Sequence, residues 1–191
     1  DPRESAKGWA EHSKHTLSAK KEARERPWEN TLKSAQPEAF EGAIIESIAI
    51  KSNIVDQDAL ETNGTRKTLN FGHTSGHALE SWAMEQSADL KHGEAVAWGM
   101  RIALKMSELH ADCPQVKPGE FDGVSRSLAT LIPLPCGIPD AEVLWNIMGH
   151  DKKNQGQQVK VVLLNGPGCP KVDVNVTLED FQQALSQLPS S

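Results

Sequence analysis

The stretch from Gly93 to Leu109 constrains this chain most. Val96, Trp98, Met100, Ile102, Leu104, Met106 and Leu109 spread apolar side chains over nearly every side of the helix it would form. A helix without a polar face is stable only when other elements surround it. The chain therefore has to wrap its remaining segments around a central buried helix, and 191 residues suffice for about one such domain.

The surrounding segments read mostly as helices. From Glu38 to Asp56, Phe40, Ile44, Ile48 and Val55 recur at helical spacing with Ile45 beside them, which predicts a helix with that stripe in the core. Pro37 suits its first position. A charged helix from about Glu4 to Arg26 precedes it, with few apolar anchors, and Pro27 ends it. Further helices are expected over 118–131, up to Met148, and after Thr177, whose Thr-Leu-Glu-Asp run is an N-cap, to about Leu188. Val159–Leu164 is the clearest strand, and Asn165-Gly166 turns it toward a second run at 171–176. The expected fold is mainly α, with one small β-hairpin and no parallel sheet.

Composition excludes several functions. Twenty-six acidic residues against 20 basic ones, a net charge of −6, argue against nucleic acid or an anionic membrane as the main partner. No apolar run is long enough for a spanning helix. Three scattered cysteines without a C-x-x-C pair make neither a disulfide framework nor a cysteine zinc site, and suit a reducing, cytoplasmic compartment. The first residue is Asp1, which points to a fragment, a processed chain or an engineered one.

Polar chemistry concentrates in two runs, Leu69-Asn-Phe-Gly-His-Thr-Ser-Gly-His-Ala-Leu-Glu80 and His92-Gly-Glu-Ala-Val-Ala-Trp-Gly-Met100. His73 and His77 are four apart, so a helix puts both imidazoles on one face. Gly72 and Gly76 clear space beside them. His92 opens the buried helix. Neutral imidazole is the commonest zinc ligand, and two histidines plus one carboxylate make a usual catalytic metal set. By spacing, the carboxylate is Glu80, Glu94 or Glu11. His12, His15, His110 and His150 stand in ordinary polar surroundings and receive no role.

These two runs closely resemble the signature segments of 3-dehydroquinate synthase. Gly8-Trp-Ala-Glu11 with Lys14 is similar to that family's G-x-A-E-x-x-K, Lys51 to Arg66 to its K-x-x-x-V…G-x-R, and Asp151-Lys-Lys153 to its D-K-K segment. The resemblance implies that Glu11, His73 and His92 ligate a divalent metal, zinc or cobalt. His77 and Lys14 fall on catalytic positions, His77 handling protons. Arg66, Asn70, Lys51 and Lys152 fall, with Lys14, on positions that hold the hydroxyl, carboxylate and phosphate groups of a sugar-acid phosphate. Planar Arg and ammonium groups suit such anionic ends. Family members are lyases of the shikimate pathway to aromatic amino acids. They convert a seven-carbon keto-acid phosphate (DAHP) to 3-dehydroquinate and phosphate, using NAD.

The resemblance makes residues 1–191 the helical metal- and substrate-binding domain, with the NAD-binding α/β domain absent from the chain. Gly166-Pro-Gly-Cys-Pro170 leads into proline rather than a helix, so it reads as a loop and not a dinucleotide fingerprint; NAD binding by this chain alone is not expected. Departures from the pattern are one extra residue between Lys51 and Arg66, polar Thr65 and Ser75 at positions usually apolar, and His12-Ser13 before Lys14. Two alternatives stand beside this reading: a non-catalytic or engineered stand-alone helical domain, and another sugar-phosphate cyclase. The sequence leaves the oligomeric state open, a homodimer included.

Overall fold

A computed structural model describes residues 2–18, 37–150 and 159–189. In chain order these form α1 (Pro2–Ser18), α2 (Pro37–Gln57), a 3-10 turn (Thr65–Asn70), α3 (His73–Glu85), α4 (His92–Leu109), α5 (Asp122–Leu131) and α6 (Ala141–His150). Strands β1 (Val159–Leu164) and β2 (Pro170–Val176) and helix α7 (Leu178–Ser186) follow. The expected continuation of the first helix to Arg26, its stop at Pro27, and the Asp151-Lys-Lys153 segment lie outside the described residues.

Helix α4 is the centre of the molecule, packed by α1, α3, α5, α7 and β1. From Ala95 to Met106 its apolar side chains other than the half-buried Trp98 are at most 2% exposed. Each such side chain contributes roughly 1.5–3 kcal/mol of transfer free energy when fully buried. Leu109 departs from the expectation: at the last turn it is 39% exposed. The Trp98 indole N–H donates to the Ile132 carbonyl at 2.8 Å, tying α4 to the end of α5.

Strands β1 and β2 pair antiparallel from Val159↔Val176 to Leu164↔Pro170, with an irregularity between Val161 and Leu163. The Gly166–Pro170 run is the loop of this hairpin, and no helix follows it directly. The hairpin docks on α4 through Ser107, whose hydroxyl accepts the Leu164 N–H at 2.9 Å while donating to the Ala103 carbonyl. Thr177 caps α7 as its sequence predicts: the hydroxyl accepts the Asp180 N–H and the Asp180 carboxylate accepts the Thr177 N–H. The helix expected from 118 begins only at Asp122, after a turn in which Gly119 takes φ +79.

The core stripe of α2 is a correction. Ile44, Ile45 and Ile48 are 39%, 62% and 60% exposed, and Val55 is half-buried. The face turned inward is Ala43, Ser47, Ile50 and Ile54. Both sets follow helical spacing and differ by about one residue in phase. The small Ala43 and Ser47 side chains let α1 approach, which bulky isoleucines would prevent.

The seam between α3 and α4 is set by glycine. The two helices run antiparallel in four-residue steps, Gly72 facing Met100 and Gly76 facing Val96, with Gly99 against Gly72 and Gly76. A Cβ on Gly99 would stand 2.0 Å from the Gly72 carbonyl oxygen and 2.6 Å from the Gly76 nitrogen. Replacing Gly99 by Ala is therefore expected to destabilise the fold by about 3 kcal/mol in chemical denaturation, the upper end of ordinary overpacking. Gly42→Ala on the exposed face of α2, where nothing lies within 4 Å, should instead stabilise by roughly 0.5–1 kcal/mol.

Candidate metal centre

Three imidazoles meet where α3 and α4 begin. His73 is the first residue of α3, after Gly72 in left-handed conformation at φ +78, and His92 is the first residue of α4. His77 lies one turn along α3. The ring centroids of His73, His77 and His92 form a nearly equilateral triangle with sides of 5.5, 5.7 and 5.5 Å. One nitrogen of each ring falls within 4.8 Å of the others.

Two of the three rings are oriented from behind. His73 Nδ1 faces the Phe71 carbonyl at 3.3 Å, and His92 Nδ1 faces Glu80 Oε2 at 3.0 Å. Each partner is an acceptor, which places the proton on Nδ1 and leaves the Nε2 lone pair free. No hydrogen bond to the described residues fixes the His77 ring. Burial, reinforced by the Lys14 charge, pushes the pKa of His73 down to about 4, so its imidazole is neutral at pH 7. The positive end of α3 further disfavours imidazolium at His73.

Helix α1 brings charge near this triangle, although among the described residues the close group of ligand atoms is the three imidazoles and does not include Glu11. Glu11 Oε1 accepts from Lys14 Nζ at 2.8 Å, and its charge acts on His73. Burial raises the Glu11 pKa, but Lys14, His15 and His73 outweigh it and hold the carboxyl below its ordinary value. Burial lowers the Lys14 pKa, with Glu11 opposing and the Lys51 charge adding to the fall. Lys51 is thus close enough to share this field, from an exposed position on α2. Arg66 and the exposed Asn70 lie on the 3-10 turn that leads into α3, Arg66 paired with Glu61 at 3.0 Å. Asp58 builds the approach to that turn by accepting the N–H groups of Thr62, Asn63 and Arg66. Lys152 lies outside the described residues.

The three carboxylates that spacing left open have separate tasks. Glu80 orients His92. Glu94 takes a bidentate fork from Arg3, at 2.7 Å to each oxygen, and accepts the Lys91 N–H that caps α4. Of the three, Glu11 is the one whose charge, with that of Lys14, acts on His73. His12 and His15 are a correction to their polar setting: each is 3% exposed, buried where α1 meets α2. The signal for His15 was its four-residue spacing from Glu11, and nothing in the sequence said which face α1 would bury.

A sequence profile for the 3-dehydroquinate synthase C-terminal family matches residues 8–154. The chain belongs to that family. It is 34% identical over 180 residues to the 3-dehydroquinate synthase of Leptospira interrogans, a match covering 93% of this chain and 48% of that protein. In fold it is similar to 2-deoxy-scyllo-inosose synthase, solved with carbaglucose-6-phosphate, NAD+ and Co2+, with a TM-score of 0.75 and 25% identity over 97% of this chain and 52% of that one. It is also similar to 2-epi-5-epi-valiolone synthase from Streptomyces hygroscopicus, solved with NAD+ and Zn2+, with a TM-score of 0.74 and 21% identity over 98% of this chain and 52% of that one. The chain thus spans about half the length of these relatives of the 3-dehydroquinate synthase family and its structural neighbours. No helix among the described residues is long and apolar enough to cross a membrane.

The buried imidazoles make stability depend on pH. The pKa values of His73 and His15 are both lowered from 6.5 to about 4, chiefly by burial. Between those limits the unfolded chain takes up protons that the folded chain refuses, so stability falls as pH falls. The urea midpoint of the metal-free chain is expected to drop steadily between pH 7 and pH 4.5. His73→Gln should flatten that slope without abolishing it, since His15 remains.

Proposed function

We propose that this chain is the metal- and substrate-binding half of a 3-dehydroquinate synthase, which converts DAHP to 3-dehydroquinate and phosphate. The observation that carries the reading is the imidazole triangle, in which His73 and His92 are both held with Nε2 free. The neutral His73 ring, the outer partners on Nδ1 of His73 and His92 and a carboxylate whose charge reaches His73 fit a divalent ion such as zinc or cobalt. In this reading Glu11, His73 and His92 hold it. Bound there, the ion supplies Lewis-acid polarisation of substrate oxygens.

The remaining residues bind and move protons. Lys14 donates to a substrate hydroxyl or carboxylate in place of Glu11, its lowered pKa making exchange of partners easier. Arg66 offers a planar fork to an anionic end, Asn70 an amide beside it, and Lys51 and Lys152 ammonium charges. The N-termini of α3 and α4 add positive potential for the same anion. His77, free of a fixed partner, takes or gives a proton at a substrate oxygen. NAD+ supplies the hydride acceptor when bound in the α/β domain of the family. The test is phosphate release from DAHP by the complete protein that carries this segment, supplied with NAD+ and zinc. Release from DAHP supports the reading, and its absence overturns it.

The fold similarity to 2-deoxy-scyllo-inosose synthase favours a second reading, another sugar-phosphate cyclase. Turnover of a hexose 6-phosphate in preference to DAHP would select it. For the ion, the proximity of His77 to the other rings favours an alternative set of three imidazoles. Calorimetric titration of the chain with zinc separates the two. With Glu11, His73 and His92 as ligands, one ion binds. His73→Ala and His92→Ala then weaken binding by tenfold or more, while His77→Ala and His110→Ala leave it nearly unchanged. Equal losses for His73→Ala and His77→Ala would select the three-imidazole set. Equal affinity for wild type and His73→Ala would end the metal assignment.

A further inference from the structure

We propose that His15 is a positioning residue that fixes the Glu11 carboxylate from the oxygen opposite Lys14. The inference rests on the reading of Glu11 as a metal ligand given above. His15 is 3% exposed, and a ring buried so deeply normally has both nitrogens bonded. Its Nδ1 is bonded to the Ser47 hydroxyl of α2. Its Nε2 has no hydrogen-bond partner, yet Glu11 Oε2 lies 3.6 Å away.

The proton assignment follows from these neighbours. Were Nδ1 protonated, a bare Nε2 lone pair would face the Glu11 oxygen and repel it. With the Ser47 hydroxyl donating to Nδ1, the ring carries its proton on Nε2 and directs it at Oε2. Closing the gap to hydrogen-bond range takes a movement of about half an ångström. Lys14 Nζ meanwhile holds Oε1 at 2.8 Å. Donors on opposite oxygens fix the plane of the carboxylate, leaving its remaining lone pairs for an ion beside His73. Removing such an outer partner typically costs 10–100-fold in metal affinity. Ser47 acts one step further out, keeping the His15 ring from turning. Glu11 and His15 are one helical turn apart on α1, so the pair is rigid once α1 docks on α2.

Zinc titration of the 191-residue chain tests this, with thermal unfolding confirming that each variant is folded. His15→Phe keeps the volume and removes both nitrogens; affinity is expected to fall tenfold or more. His15→Gln, which retains a donor of similar reach, should recover much of that loss, and Ser47→Ala should show a smaller loss. Glu11→Gln should weaken binding, and His15→Phe should add nothing in that background. If Glu11→Gln weakens binding and His15→Phe does not, the positioning role is overturned while the ligand reading stands. If His15→Phe costs as much in the Glu11→Gln background as alone, its effect is packing and the proposal fails. If Glu11→Gln leaves affinity unchanged, the ligand reading fails and this inference with it.

Discussion

The close approach of α3 and α4 is the contact on which the rest of the molecule depends. Gly72, Gly76 and Gly99 bring two helix backbones to distances that no side chain allows, and the antiparallel register steps four residues at a time. The same step that sets Gly72 against Met100 and Gly76 against Val96 carries Glu80 to His92, where a 3.0 Å hydrogen bond forms. His77 is held between those layers. A wider seam would separate the His73 and His77 rings of α3 from the His92 ring of α4 by the diameter of the side chain inserted. The glycines thus act on the site at a distance, by fixing how far apart its two helices stand.

Helix α1 is attached differently, through charge. Its first turn is clasped by the Arg3 fork on Glu94, whose side chain is only 6% exposed, with Asp89 completing the contact. This anchor lies at the N-terminal turn of α4, two residues from His92, so α1 is registered against the same helix end that carries a site imidazole. Further along, α1 buries His12, Ser13, Lys14, His15 and Ser18 beside only three apolar anchors among the described residues, Trp9, Ala10 and Leu17. Ser13 and Ser18 satisfy themselves on carbonyls of their own helix, at Trp9 and Lys14. The polar residues that weaken α1 as an isolated helix pair with Ser47 and Glu46 of α2, and the charges of its Lys14 and Glu11 act on His73. Burial there keeps the His73 imidazole neutral and able to bind an ion.

Much of this was legible in the residues. An all-round apolar run has one stable environment, so the burial of α4 followed from its composition. Four-residue spacing put His73 and His77 on one face, the Thr177 box fixed the start of α7, and a loop entering Pro170 excluded a nucleotide-binding turn. What the residues left open were choices between equivalent periodicities and equivalent charges. Helix α2 carries two stripes of nearly the same phase, and only the arrival of α1 and of Leu69 on the 3-10 turn selected Ala43, Ser47, Ile50 and Ile54 over the isoleucines beside them.

By itself the sequence determined which helix is central, which histidines share a face, where the hairpin turns and where the last helix starts. Each of these depends on neighbours within about one or two helical turns. The tertiary structure alone decided that Glu94 clasps Arg3, that Glu80 turns His92, that Glu11 stands beside His73, and that His15 is buried against Ser47. Those partners lie 91, 12, 62 and 32 residues apart along the chain. Carboxylates and imidazoles are chemically alike wherever they occur, so their roles are assigned by what the packing of α1, α2, α3 and α4 places within hydrogen-bond distance or, for Glu11 and His73, within reach of each other's charge.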